Sequence, residues 1–341
     1  MPKILRTLAA AVLCAASLMT AGSADGMPNA AAAVASAAVA KDNSAAVNPV
    51  CINVKAKTVI SKDTVVKENE TLYVRSGGKL YINEGVTLTV KGKLRCADGG
   101  EIYCRGQIDS EENSRVSVYG KLKLLSTAEL SLGGKLAVYP TGTVVGNGKI
   151  RVENLFSDIY CRGTVTAKIA APAPVKENGV TSVGGIIIAN KQYDLPADYG
   201  DGLKQNAYSA FLVMKKASGY DMKLLSGYRS YEKQREVFAY WCSVDGEEKA
   251  KTYSALPGQS EHQTGLAIDI SSLSQDYGKT AEGKWLAQNC WKYGFIIRYP
   301  KGKENITGYI YEPWHVRYLG ISTAKLVYDS KLTLEEFLGL A

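Results

Sequence analysis

Two histidines occur in the 341-residue chain, His262 and His315, and each sits inside a polar motif. The first motif is Ser-Glu-His-Gln-Thr-Gly-Leu-Ala-Ile-Asp over 260–269, and the second is Glu-Pro-Trp-His over 312–315. Two imidazoles and one carboxylate are enough protein ligands for a catalytic zinc, with a fourth position left for water. His262, Asp269 and His315 form such a set. Glu312, three residues before His315, adds a carboxylate that can work beside a metal without holding it. One histidine alone would read as a satisfied core or surface side chain; two in these settings read as a metal centre. The histidines lie 53 residues apart and no His-Glu-x-x-His is present, which excludes a zincin.

The elements around these residues follow an α+β pattern. A helix-like apolar run covers 208–216, and Leu-Leu-Ser-Gly-Tyr-Arg over 224–229 reads as a strand ending in a turn. Ser230 is placed to cap a helix over 231–241, and Thr280 to cap one that stops at Gly294. The Gly-Leu-Ala-Ile run before Asp269 is the entry of a short buried strand. Strands are expected at 295–299 and 308–311, and a closing helix at 332–338.

With these segments placed, the second half of the chain resembles the VanY-type D-alanyl-D-alanine carboxypeptidases, zinc peptidases of bacterial cell walls. The resemblance rests on Ser-Gly-Tyr-Arg-Ser-Tyr-Glu-Lys-Gln at 226–234, the run 257–269, Tyr-Gly-Phe-Ile-Ile-Arg-Tyr-Pro at 293–300 and the run 307–318. It implies an α+β fold whose central antiparallel sheet carries one zinc, held by His262, Asp269 and His315, with Glu312 as the base. It implies further that Arg229 lies near the scissile carbonyl, where a cation stabilises developing oxyanion charge. Gln234 and Ser260 match positions lining the substrate pocket, and Trp314 either orients the metal loop or packs on substrate. The substrate implied is a peptidoglycan stem peptide ending in D-Ala. Whether a D,D- or an L,D-bond is cut is left open.

A different architecture precedes this unit. Gly-Lys-Leu or a close variant recurs at Gly78, Gly92, Gly106, Gly120, Gly134 and Gly148, always 14 residues apart. The third position is always Leu or Ile and the eleventh is Leu, Ile or Val, with alternation around both. A unit this small cannot bury its apolar face alone, so the units must stack. The expectation is a short-period β-solenoid over 50–168, with two strands per rung. Cys96 and Cys104 would both point inward in one rung and could pair across the core. The Pro/Ala-rich stretch 169–183 is expected to be a linker to the catalytic domain, 184–341.

The first 24 residues combine Lys3 and Arg6, an apolar run and small residues at 21–24, the pattern of a secretory signal. An Ala-rich leader follows over 25–49. Export to a bacterial wall fits the formal charge of +8, which suits anionic wall polymers. The basic residues are dispersed and lack a basic-aromatic recognition motif, so nucleic acid is not expected as a partner. Apart from Cys14, six cysteines remain, an even number compatible with disulfides outside the cell. Two competing functions fit the sequence less well. A penicillin-binding-type serine peptidase has only chance Ser-x-x-Lys matches at Ser76 and Ser322. A wall-binding protein that merely grips peptide stems is disfavoured by the complete set of ligands and base.

Overall fold

The computed structural model describes residues 49–341; the expected signal, the Ala-rich leader up to 48 and Cys14 lie outside them. Residues 50–170 wind into a succession of short strands that stack as three six-stranded parallel sheets. In the first sheet lie Val50–Val54, Glu70–Val74, Lys93–Cys96, Arg115–Val118, Lys135–Val138 and Ile159–Cys161. The alternation seen in the sequence places one face of every strand in the core. Leu80, Leu94, Ile108, Leu122, Leu136 and Ile150, at the third position of the repeat, are all fully buried, as are Leu88, Ile102, Val116, Leu130 and Val144 at the eleventh.

The solenoid is therefore as expected, but a turn takes three strands and not two. Lys79 lies beside Glu101, and Glu101 beside Lys121, so successive turns use 22 and 20 residues. Two turns consume 42 residues, three repeats of 14. The sequence period sets the spacing between strands; the bend at each corner sets how many strands close a turn, and that angle is not written in the period. The repeat glycines sit where neighbouring turns touch. A Cβ on Gly78 would lie 2.2 Å from the Val54 carbonyl oxygen, and one on Gly120 would lie 2.2 Å from that of Ala97.

The three-sided turn also separates the cysteines. Cys96 belongs to the first sheet and Cys104 to the second. Both point inward, but they form no bridge, and all six cysteines among the described residues are free thiols. Burial pushes the Cys96 thiol up to about 11 and that of Cys104 to about 12, so both are protonated members of the apolar core.

The expected linker is structured for most of its length. Lys168–Ala170 ends the third sheet, and only 171–174 lack regular structure before Val175–Glu177 pairs with Val180–Val183, which pairs in turn with Ile186–Ile187. One apolar cluster runs from the solenoid interior through Val183, Ile186 and Ile188 into Ile296 and Leu319. The two halves share a core.

The second half is built on a four-stranded antiparallel sheet: β1 (Leu224–Ser226), β2 (Ala267–Ile270), β3 (Phe295–Tyr299) and β4 (Glu312–Tyr318), in the order β1-β2-β4-β3. Helices α1 (Gln205–Ser218), α2 (Tyr231–Asp245), α3 (Ala281–Asn289), α4 (Ile321–Ser330) and α5 (Leu334–Leu338) surround it. The caps read from sequence are made: the Ser230 hydroxyl accepts from Lys233 N–H and that of Thr280 from Gly283 N–H. The strand expected at 308–311 begins later, at Glu312, because 304–307 form a short helix ended by Gly308 at φ 77°. One face of the sheet packs Ile268, Ile270 and Val316 against Phe211 and Met214 of α1 and Leu286 of α3. On the other side α4 covers the last strand of the first solenoid sheet, where Ser322 Oγ accepts from Cys161 N–H at 3.1 Å and Thr323 Oγ1 donates to the Leu155 carbonyl at 3.3 Å. Among the described residues no helix is long and apolar enough to cross a membrane.

Candidate metal centre and active site

Strand pairing assembles the centre. Asp269 on β2 stands directly opposite His315 on β4, and on its other side opposite Ser226 of β1. Side chains alternate along a strand, so the apolar Ile268 and Ile270 turn Asp269 to the opposite face. His262 comes from a 3₁₀ turn, Glu261–Thr264, closed by Gly265 at φ 69°. One ligand atom from each of His262, Asp269 and His315 falls within 4.8 Å of the others, and all three side chains are buried. The β3–β4 pairing slips here: Ile297 faces Val316, but Tyr299 faces Glu312. One residue of β3 thus spans three of β4, and this bulge lets Glu312 join His315 at the centre, Oε2 to Nδ1 3.6 Å.

The donor set fits a cation. His262 Nδ1 lies 2.6 Å from the Gly227 carbonyl, which leaves Nε2 for a metal, 3.1 Å from Asp269 Oδ2. His315 turns Nε2 toward Glu261 Oε2 at 3.6 Å and Nδ1 toward Asp269 Oδ1 at 3.1 Å. That last contact is within ion-pair range but lacks hydrogen-bond geometry, and Asp269 Oδ1 is a buried oxygen with no hydrogen-bond partner. A buried carboxylate oxygen left so is costly unless a cation meets it. Two imidazole nitrogens and a carboxylate facing one point match zinc in donor type and number.

The electrostatics divide the two motif carboxylates. Burial opposes ionisation of Asp269, but His262 and His315 outweigh it and hold its carboxyl far below the usual range. Glu312 has no comparable cationic support, and burial pushes it up to about 8. Burial depresses His262. It also works against the imidazolium of His315, but there the adjacent Asp269 and Glu261 prevail and lift it to about 9. Two carboxylates pushed apart by their surroundings are suited to different tasks, one as ligand and one as proton carrier.

Arg229 reaches the centre from the turn after β1. Its Nη2 lies 3.9 Å from Asp269 Oδ2, and its backbone N–H donates to the His262 carbonyl. Nη1 donates to Gln234 Oε1 at 2.9 Å and Nη2 to Ser226 Oγ at 3.0 Å. The other expected residues take different places. Gln234 is the one buried residue of α2, and its amide nitrogen donates to the Ala255 carbonyl at 2.7 Å. Both ends of its amide are engaged, so it positions Arg229 and does not line a pocket. Ser260 is buried at the entry of the 3₁₀ turn, where its carbonyl accepts from Gln263 N–H and its hydroxyl makes no cap. Trp314 packs with Ile268 and Phe211 in the apolar core across the sheet from the ligands, so it supports the strand from the face opposite them.

Glu261, inside the first motif, takes a role that the motif does not announce. Its Oε1 accepts from Arg298 Nε at 2.7 Å and Arg317 Nη1 at 2.8 Å, all three residues being fully buried. Arg298 also forks onto Glu335 of α5. Burial resists a charge on Glu261, but the two guanidiniums hold it ionised, leaving its Oε2 3.6 Å from His315 Nε2 with neither atom hydrogen-bonded. The available signal was an arginine at an inward position of each of two strands otherwise rich in apolar residues.

A family model described as VanY, D-alanyl-D-alanine carboxypeptidase, matches residues 201–321 and does not reach the solenoid. YodJ of Bacillus subtilis is 45% identical over 180 residues, covering 45% of this chain and 66% of that protein. A D-alanyl-D-alanine carboxypeptidase of Enterococcus faecalis is 35% identical over 187 residues, covering 49% of this chain and 70% of that one. The chain thus spans about two thirds of these relatives. The solved LdcB LD-carboxypeptidase is 41% identical, with 50% of this chain and 94% of that chain covered and a TM-score of 0.45.

Proposed function

Since the chain belongs to the VanY family of D-alanyl-D-alanine carboxypeptidases, we propose that it is an exported zinc carboxypeptidase that removes the terminal D-Ala of peptidoglycan stem peptides. The observation that carries this reading is the cross-strand meeting of His262, Asp269 and His315, with a protonatable Glu312 beside them. Those three side chains would hold one zinc. When bound, zinc supplies Lewis-acid chemistry, activating water toward neutrality and polarising the scissile carbonyl.

The remaining work falls to the chain. Glu312 takes a proton from the attacking water on its buried carboxylate and returns it to the departing amine of D-Ala. A buried carboxyl beside the ligands can carry that proton between the two steps. Arg229, half-desolvated and held on two sides by Gln234 and Ser226, offers a fixed cation to the developing oxyanion or the substrate carboxylate. Export is supported by the basic and then apolar start of the chain.

The test incubates the purified zinc-loaded protein with defined penta- and tetrapeptide stems and identifies the products by mass spectrometry. Loss of one D-Ala from the pentapeptide, abolished by chelation and by His262→Ala, is expected. Cleavage of the tetrapeptide alone would replace the D,D-assignment with an L,D-one. Turnover that survives complete removal of metal would overturn the zinc reading.

A further inference from the structure

The three outer faces of the solenoid differ in charge pattern. Along the second face Glu101 stands between Lys79 and Lys121, with Lys79 Nζ 3.3 Å from Glu101. On the third face Glu129 neutralises Lys149 at 2.8 Å and Arg151 at 2.6 Å. The middle of the first face has no such interruption, its acidic residues Glu70 and Asp158 lying at the turns on either side and the Asp158 carboxylate being taken by Asn154 N–H and Ser157 Oγ. Lys93, Arg115 and Lys135 occupy the same outward position in three consecutive strands, and none of those strands contains an acidic residue. Among the described residues no carboxylate lies within ion-pair distance of these three or of Arg95. Like charges on directly opposed positions destabilise a sheet, and here they follow one another at a strand spacing of about 4.8 Å.

Arg95, two positions along from Lys93, is held ready. Its guanidinium lies 5.0 Å from the Tyr73 ring and 5.0 Å from the Tyr119 ring. Seated between two rings and exposed, it loses little freedom on binding and offers a fork of donors that matches phosphate oxygens. Tyr119 is itself stacked on Tyr139, centroids 3.9 Å apart. Its faces are therefore taken by Arg95 and Tyr139, and no open aromatic platform remains there for nucleobases.

We propose that this first face of the solenoid binds a linear phosphodiester polymer of the non-nucleic-acid kind, laid along the solenoid axis across the three consecutive turns that carry Lys93 with Arg95, Arg115 and Lys135. The proposal is independent of the catalytic reading, since it uses no residue of the catalytic unit. Affinity arises from neutralised phosphates and released counterions, and so falls steeply with salt.

The test titrates the full chain with soluble poly(glycerol phosphate) at several salt concentrations. A triple variant, Lys93→Gln with Arg115→Gln and Lys135→Gln, should bind at least about tenfold more weakly and lower the slope of log affinity against log salt by about 2–3, near one per lost phosphate contact. A control removing equal charge from the second face, Lys57→Gln with Lys121→Gln and Lys123→Gln, should change affinity less than about twofold. Equal losses in both triples would overturn the proposal in favour of net charge alone. Binding of single-stranded DNA with none of the glycerol polymer would overturn it in favour of nucleic acid. Arg95→Gln alone, which leaves the strand pairing untouched, should also weaken binding; unchanged affinity would refute the role given to the tyrosine-held cation.

Discussion

The solenoid and the catalytic unit use β-structure in opposite ways. In the solenoid every strand is parallel to its neighbours, every inward side chain is apolar or small, and the register barely varies from turn to turn. In the catalytic sheet the pairing is antiparallel and slips at β3–β4, and the buried set includes His262, Asp269, Glu312, His315, Glu261, Arg298 and Arg317. Repetition gives the first region its stability through uniform burial. The second region places chemistry where regularity fails: Glu312 reaches His315 only because of the bulge, and Glu261 is ionised only because two arginines are buried with it. The regions nonetheless close on one another, since α4 and α5 contribute Leu326, Val327, Leu334 and Phe337 to the cluster that fills the solenoid.

That shared core gives the largest expected effect. A fragment starting at 175 would expose Val183, Ile186, Ile296 and Leu319 together with the buried side of α4. It should aggregate and show no cooperative melting, because an apolar face of that kind needs a partner. A soluble fragment that melts cooperatively and retains zinc would make the two regions independent after all.

Within the catalytic unit, Glu312→Gln should lower kcat by about 10²–10⁴-fold, the usual contribution of a general base. Zinc content and the melting temperature should stay near those of the parent. Zinc lost along with activity would make Glu312 a ligand, and near-normal turnover would require another base.

The solenoid should respond in the other currency. Leu122→Ala removes a fully buried side chain from the repeat core and should cost about 2–5 kcal/mol by denaturant unfolding. Turnover per folded molecule should not change. A comparable loss of zinc affinity in that variant would mean that the solenoid core sets the geometry of the metal centre.

The smallest effect sharpens the boundary between structure and chemistry. Glu261→Gln keeps the shape but removes the charge beside His315, and should reduce zinc affinity by about 10–100-fold, as measured by competition with a chelator. Glu261→Ala should add a stability loss, because Arg298 and Arg317 then lose a buried counter-charge. Unchanged zinc affinity in the Gln variant would confine Glu261 to holding the arginines.

Much was determined by the sequence alone. The scarcity of histidine and the spacing of the two motifs singled out His262, Asp269, His315 and Glu312, because metal chemistry needs those donor types whatever the fold. The unbroken 14-residue phase implied stacked strands, because an inward residue that repeats has to meet its copy. What tertiary structure decided was everything that depends on angles and on contacts between distant segments. The corner bends made a turn of three strands, which put Cys96 and Cys104 on different sheets. The strand alternation sent Trp314 into the core, and the fold brought Ala255 within reach of Gln234. Arg298, Arg317 and Glu335 come from three separate elements, and their charges become bearable only when burial brings them together around Glu261. No local pattern encodes that meeting, because the energy of a buried charge depends on partners that lie far away along the chain.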